Sequence, residues 1–358
     1  MKFINVISAW VNRYFSNAEA IYLVALIGLV LLVLGTLGTF LAPVIAGLVF
    51  AFLLQGLVKW LERIKVPRLV GVYFSFLLFT GLILAFLLIV VPLLLQQMQG
   101  LLGLIPTGIG VLREGVADLA LRFPEYVTPA QISNLIDQAA REVGNLGATV
   151  VETAFAQVTS LFGLLIYLVL VPISTFFFLK DKDLLLDWLA TLLPSDRSLL
   201  TAVGSEMNEQ LGNYVRGKSI EILIVGVTTF VSFTLTGLNY SALLGVAVGL
   251  SVLIPYVGAA VVTLPVFLVA VIQFGWTWDL GLIMIVYGVI QFLDGNVLVP
   301  LLFSEVVDLH PITIIVAVLA FGGLWGVWGV FFAIPLATLI KAIYKAWPRY
   351  SEINAVAD

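Results

Sequence analysis

From Ile21 to Val58 the chain reads IYLVALIGLVLLVLGTLGTFLAPVIAGLVFAFLLQGLV, with no charged residue, and Leu69 to Leu95 is a second run of the same kind. A helix needs about 20 apolar residues to cross the hydrocarbon core of a bilayer. Both runs exceed that length. A transmembrane barrel would instead alternate in hydrophobicity over segments of about 10 residues, and these runs do not alternate. The fold class is therefore all-α, a polytopic helical integral membrane protein with seven to eight membrane segments, some of them broken or re-entrant.

Composition narrows the chemistry. Only 11% of the 358 residues are charged, against about a quarter in a soluble domain, so lipid rather than water is the main solvent. There is no cysteine, which removes disulfides, thiol nucleophiles and thiolate metal sites. The 17 basic residues are scattered and the net charge is −4, so no nucleic-acid partner is expected. One histidine cannot form an HExxH pair, and neither a GxSxG elbow nor a GxxxxGK[ST] phosphate loop occurs. The chain reads as a non-enzyme, with no cofactor, catalytic residue or metal site.

Charge placement gives the topology. Lys2 and Arg13 precede the first run, which is too long for a secretory peptide and reads as an anchor. KWLERIKVPRL (Lys59–Leu69) carries four basic residues against one acid, Lys180 and Lys182 follow a later run, and Lys341, Lys345 and Arg349 follow the last. By the positive-inside rule these loops and both termini are cytoplasmic. The organisation expected is N-terminal membrane helices over 1–98 and an extracytoplasmic helical insertion over 99–152. A membrane helix at 153–180, a cytoplasmic amphipathic segment at 181–218, a C-terminal membrane core at 219–346 and a tail at 347–358 follow. Pro43 should separate a helix ending near Gly38 from one running to Trp60. Ile132, Ile136, Ala139, Val143, Leu146 and Val150 repeat at four and three residues, a narrow seam for packing locally or against another subunit.

Two segments, Ser241–Phe274 and Ile312–Ile340, are longer than a straight span needs, and each is either one tilted helix or a pair that dips in and returns. Irregular backbone at membrane depth is tolerated only inside protein or beside water. Pro255, in LIPYVG, splits the first.

The polar residues of this half carry the functional reading. Asp294 lies about 22 Å along a helix from the Trp276–Asp279 belt, inside the hydrocarbon. An aspartate there costs about 2.5–3.5 kcal/mol on insertion scales. It is either an ion or substrate contact on a permeation path or a buried contact between helices. Asn296 beside it supplies an amide, and Pro300 loosens the helix. Glu305, Asp308 and His310 form either an interfacial turn with hydrated charges or a proton-coupling group. Lys218 and Glu221 are spaced to pair, although Lys218 reads more simply as a side chain snorkelling to the interface. Gly245 with Gly249, and Gly322 with Gly326, have the spacing of close helix packing. Gly322, Gly323, Gly326 and Gly329 beside Trp325 and Trp328 can also form a hinge.

QLGNYVRGKSIEILIVG (Gln210–Gly226), GLNYSALLGVAVGLSVLIPYVGA (Gly237–Ala259), DGNVLVPLLFSEVVDLHP (Asp294–Pro311) and GVFFAIPLATLIKAI (Gly329–Ile343), with VPISTFFFLKDKDLLL (Val171–Leu186) before them, together resemble the autoinducer-2 exporter family of permeases. The resemblance implies secondary transport in a bacterial cytoplasmic membrane by a homo-oligomer such as a pentamer. Some members are associated with export of autoinducer-2 and others with exchange of sodium or lithium for protons. Carried over are Asn213, Tyr214, Arg216 and Gly217, then Pro255, Tyr256 and Gly258, then Asn296, Pro300, His310 and Pro311. Asp294–Gly295 stands where relatives often carry Glu-Asn or Asn-Asn.

The expectation is thus a gradient-driven exporter or permease of a small solute such as autoinducer-2. Asp294, Asn296, Glu305, Asp308 and His310 would mark the path, and Glu209 and Arg216 a cytoplasmic gate. Pro255, Tyr256, Gly258, Pro300 and Pro311 would mark gate or backbone-break positions. A sodium or lithium/proton antiporter is the first alternative, and a non-transporting membrane scaffold held by the 132–150 seam the second.

Overall fold

The computed structural model describes residues 18–122, 134, 138, 141, 145, 149, 161–194, 198–255, 257–303 and 309–346. The 132–150 seam, Tyr256, Glu305, Asp308 and the basic residues Lys2, Arg13 and Arg349 lie outside them. Apart from the turns between helices the described residues are helical, without a strand, and seven helical segments are long and apolar enough to cross a bilayer. Lipid offers backbone groups no partner, so an apolar run must satisfy them within its own helix. The surfaces of these helices stay apolar where they face outward, as at Leu82, Leu88, Ile89 and Leu235.

Along the chain run α1 (Ala18–Arg63), α2 (Arg68–Ala85), a π-wound turn at Phe86–Val90, and α3 (Val91–Arg122). They are followed by α4 (Leu161–Lys180), α5 (Lys182–Thr191) and α6 (Ser198–Leu235). The remainder is α7 (Ser241–Ser251), α8 (Val257–Phe274), α9 (Trp278–Leu293), a π segment at Asp294–Leu298, α10 (Val299–Phe303) and α11 (Pro311–Ala346). Helical hydrogen bonding continues through Pro43, so α1 is one helix of 46 residues, about 69 Å long, yet it holds two candidate membrane spans, Ile21–Gly38 and Phe40–Arg63, which part near the expected boundary. A proline removes one N–H and crowds one carbonyl, and the remaining helical bonds on both sides carry the axis through.

The chain divides into two compact units. The first comprises Met1–Phe76, Leu170–Gly217 and Phe303–Asp358. In it α1 and α4 approach closely at Gly47, where a Cβ would stand 2.5 Å from the Ser174 Cβ, and Thr175 donates to the Gly47 carbonyl (3.2 Å). Leu23 packs with Leu200 and Val203. Tyr214 is buried between Phe303 and Phe331, each with ring centroids 5.9 Å away. Arg68 pairs with Asp183, fixing the start of α5 to the α1–α2 turn.

The second unit comprises Leu77–Val169 and Lys218–Leu302. Its core joins Val225 and Phe233 of α6, Leu244 and Val248 of α7, Val266, Val269 and Ala270 of α8, and Ile283 and Tyr287 of α9. The Tyr287 hydroxyl donates to the Ala259 carbonyl (3.0 Å) and lies 3.0 Å from the Thr263 hydroxyl. Tyr287→Phe removes these contacts, while Thr263 keeps its own bond to the Ala259 carbonyl (2.7 Å), and is expected to cost about 0.5–1.5 kcal/mol, read as a lower unfolding midpoint of the detergent-purified protein. At one end of the unit, Gln97 accepts from the Leu243 N–H (2.8 Å). There too, Gln273 accepts from the Asn239 N–H (2.7 Å) and donates to the Gly237 carbonyl (2.7 Å). These bonds pin the α6–α7 turn.

Both awkward segments are broken. Helix α7 has 11 residues, about 16 Å of rise, too short to cross the roughly 30 Å core. After the turn at Val252–Pro255 the chain doubles back, bringing Gly258 against Ser251 so closely that a Cβ on Gly258 would stand 1.8 Å from the Ser251 carbonyl oxygen. In α11 the axis fails at Gly326 (φ 59°, ψ −135°), a conformation open to glycine alone. A Cβ on Gly329 would lie 1.8 Å from the Phe321 carbonyl oxygen. Residues eight apart in a straight helix are separated by about 12 Å, so α11 is a hairpin of two limbs although its length alone would count as one span. The glycine-rich stretch 322–329 forms the turn between the two limbs.

Candidate functional site

The site is built on the end of α9 and the middle of α6, within the second unit. Asp294 ends α9 and opens the π segment. A π turn widens the helix by one residue and is frequent at functional sites. Here the Val299 N–H reaches back to the Asp294 carbonyl, and Pro300 has no N–H to return to the carbonyls before it. The helix continues through Pro300 to Phe303. The disturbance Pro300 introduces is absorbed by rewinding.

Asp294 is half-buried, and its Oδ1 is sealed from solvent with no hydrogen-bond partner. Gln291, one turn earlier on the same face, has its amide nitrogen buried and unpartnered as well. An unmatched acceptor beside an unmatched donor is rare in a folded interior, and at membrane depth water does not repay the loss. Asn296 is exposed and its amide donates to the Phe292 carbonyl (2.9 Å).

On α6, Lys218 and Glu221 are almost fully buried, 4% and 1% exposed. The Lys218 ammonium donates to both carboxylate oxygens of Glu221, at 2.9 and 3.1 Å. Snorkelling of Lys218 is therefore ruled out, because its charge is turned inward and held by a bidentate partner. Both groups lie within electrostatic reach of Asp294. Lys218, Glu221 and Gln291 were underweighted in the sequence. The signal was there, as a Lys/Glu pair at i,i+3 and a glutamine three residues before an aspartate, both inside apolar spans.

The other candidates fall elsewhere. Glu209, Arg216, His310 and Pro311 belong to the first unit. Glu209 is exposed, and Arg216, also exposed, donates to Asn213 on its own helix (2.6 Å). His310 caps α11, its Nδ1 accepting from the Ile312 N–H (3.3 Å) and its carbonyl from the Thr313 N–H (2.8 Å). Pro311 takes the first helical position, where its missing N–H costs nothing. Pro255 and Gly258 form the α7–α8 break. Among the described residues no group of three His, Asp or Glu side chains is arranged to hold a metal ion.

Buried ionic and unpaired polar groups in an apolar helical chain fit a permeation protein, and comparison with known sequences decides the lineage. The family model for the AI-2E family transporter matches residues 7–349. The chain belongs to the AI-2E transporter family. Across 345 residues it is 42% identical to the Escherichia coli K12 protein named "Putative permease PerM", covering 96% of this chain and 98% of that one. A second AI-2E relative, from Bacillus subtilis 168, is named "Putative transport protein YrrI" and is 27% identical over 311 residues, 85% of this chain and 86% of its own. The chain is thus a multi-pass membrane protein of a permease and transport family. The fold class expected from the apolar runs holds.

Proposed function

We propose that this protein is a gradient-driven permease that exports a small polar solute, autoinducer-2 being the cargo the family resemblance suggests, across a bacterial cytoplasmic membrane. The reading includes both termini on the cytoplasmic side and assembly as a homo-oligomer. One observation carries it: Asp294 and Gln291 present an unsatisfied acceptor and donor on one face of a π-wound membrane helix, beside the buried Lys218–Glu221 pair. A solute bearing hydroxyl and carbonyl groups would satisfy both atoms.

The test is flux through purified protein in liposomes against a panel of small polar solutes that includes autoinducer-2. Asp294→Asn is expected to leave the protein assembled and lower flux at least about tenfold, the loss of about 1.4 kcal/mol of transition-state stabilisation. Loss of assembly with Asp294→Asn, with no flux for any solute in the wild type, would favour a scaffold instead. Sodium or lithium that collapses an imposed pH gradient across the same vesicles would favour the antiporter.

A further inference from the structure

Helix α5 has no buried residue, although five of its ten residues are leucine or tryptophan. Leu184, Trp188 and, just past the helix, Leu192 lie four apart on one side and are 70%, 58% and 65% exposed. Asp183, Asp187 and Thr191 form a polar row beside them. Both ends of α5 are held where membrane spans end. Asp181 alone separates it from α4: its N–H bonds the Phe177 carbonyl (2.8 Å), and its carbonyl accepts from the Leu185 N–H (2.9 Å). Asp183 is paired with Arg68, where the span Arg68–Leu101 begins. Leu193 packs on the Leu200–Val203 cluster, which also takes Ile343, the last residue of the span Pro311–Ile343. Ten residues rise about 15 Å, half of the roughly 30 Å hydrocarbon core. The span ends at its two ends therefore share one membrane face, and α5 runs along that face.

The charges there are unequal. Lys180 pairs with Asp181 (3.3 Å) and Arg68 with Asp183. Among the described residues Lys59, Arg63, Lys65 and Lys182 stand without an ion pair, against Glu62 and Asp187. Trp60, Ile64 and Leu69, at the same span ends, are exposed as well, and tryptophan is the side chain enriched at this depth of a membrane. We propose that α5 is an interfacial anchor lying in the membrane plane. Leu184, Trp188 and Leu192 enter the outer acyl carbons, and the basic side chains of the α1–α2 turn contact the phosphates of anionic phospholipids. An exposed apolar row held at the level where spans end meets lipid, and the surplus of positive charge selects an anionic leaflet. The proposal does not rest on the transport reading.

The chain has no cysteine, so a single introduced thiol can carry a spin label. Trp188→Cys, Leu192→Cys and Asp187→Cys, each in the full-length protein, are labelled and reconstituted in vesicles of phosphatidylcholine mixed with phosphatidylglycerol. Labels at 188 and 192 should be relaxed more by oxygen, which concentrates in lipid, than by a water-soluble nickel chelate, and the label at 187 the reverse. In detergent, phosphatidylglycerol should raise the unfolding midpoint of the unlabelled protein more than phosphatidylcholine does. The phosphatidylglycerol needed for half the shift should rise about fivefold for each of Lys59→Gln, Arg63→Gln and Lys65→Gln. Labels at 188 and 192 that the nickel chelate reaches as readily as 187, or that both reagents miss as they would beneath a second protein, would overturn the membrane seat. Equal responses to the two lipids, or a triple variant that titrates like wild type, would overturn the headgroup contact.

Discussion

Lys218→Met is expected to lower stability by about 3–5 kcal/mol, the usual cost of removing one partner from a buried ion pair. The charge left behind on Glu221 is 1% exposed and has Asp294 as its electrostatic neighbour, so the substitution removes the attraction and keeps the repulsion. Thermal unfolding of the detergent-purified protein, compared with Lys218→Met combined with Glu221→Gln, measures it. The double variant should recover most of the loss, because replacing both charges removes the stranded one. A single variant as stable as wild type would mean that Glu221 is not held as an ion at all.

Gly258→Ala should be as damaging, for a steric reason. The added Cβ would sit 1.8 Å from the Ser251 carbonyl oxygen and 2.6 Å from its carbon. Backbone cannot rotate away as a side chain does, so α7 and α8 must part. Overpacking in cores typically costs about 1–3 kcal/mol, and contact with main chain places this case at the upper end or beyond. Gly281→Ala is the control: it has open space around the new methyl and should be neutral or stabilising by up to about 1 kcal/mol. The comparison is read from the yield of folded, monodisperse protein and its unfolding midpoint.

What the sequence revealed follows from which forces act locally. Apolar length alone marks the spans, since lipid enforces helix wherever hydrophobicity is sustained. LIPYVG announced a break because the proline and glycine of that stretch disturb backbone over a few residues. Asp294 stood out as a charge in hydrocarbon. Pro43 stands close to where two span lengths part, Ile21–Gly38 and Phe40–Arg63, but a proline states only that one hydrogen bond is missing and not whether the neighbouring turns will bend. Lys218 misled for a related reason. Whether a lysine at a helix start reaches outward or inward depends on what lies across from it, and Asp294 is 76 residues further along the chain. The glycines at 322–329 signal flexible backbone, but that Gly329 packs on Phe321 across a turn at Gly326 is a pairing visible only in three dimensions. The path residues His310 and Asp294 fall in separate units although only 16 positions divide them.

The widened turn at Asp294–Leu298 has a genealogical consequence. A ring closed from i to i+5 holds one residue more than its α counterpart while leaving the helix on either side in its original register, so it is what a single-codon insertion into an ordinary membrane helix produces. Descendants of the uninserted ancestor would carry one residue fewer between the tryptophan at the helix start and the proline corresponding to Pro300. Deleting Gly295 should return the segment to ordinary α winding, with the span intact and Asp294 still placed by α9.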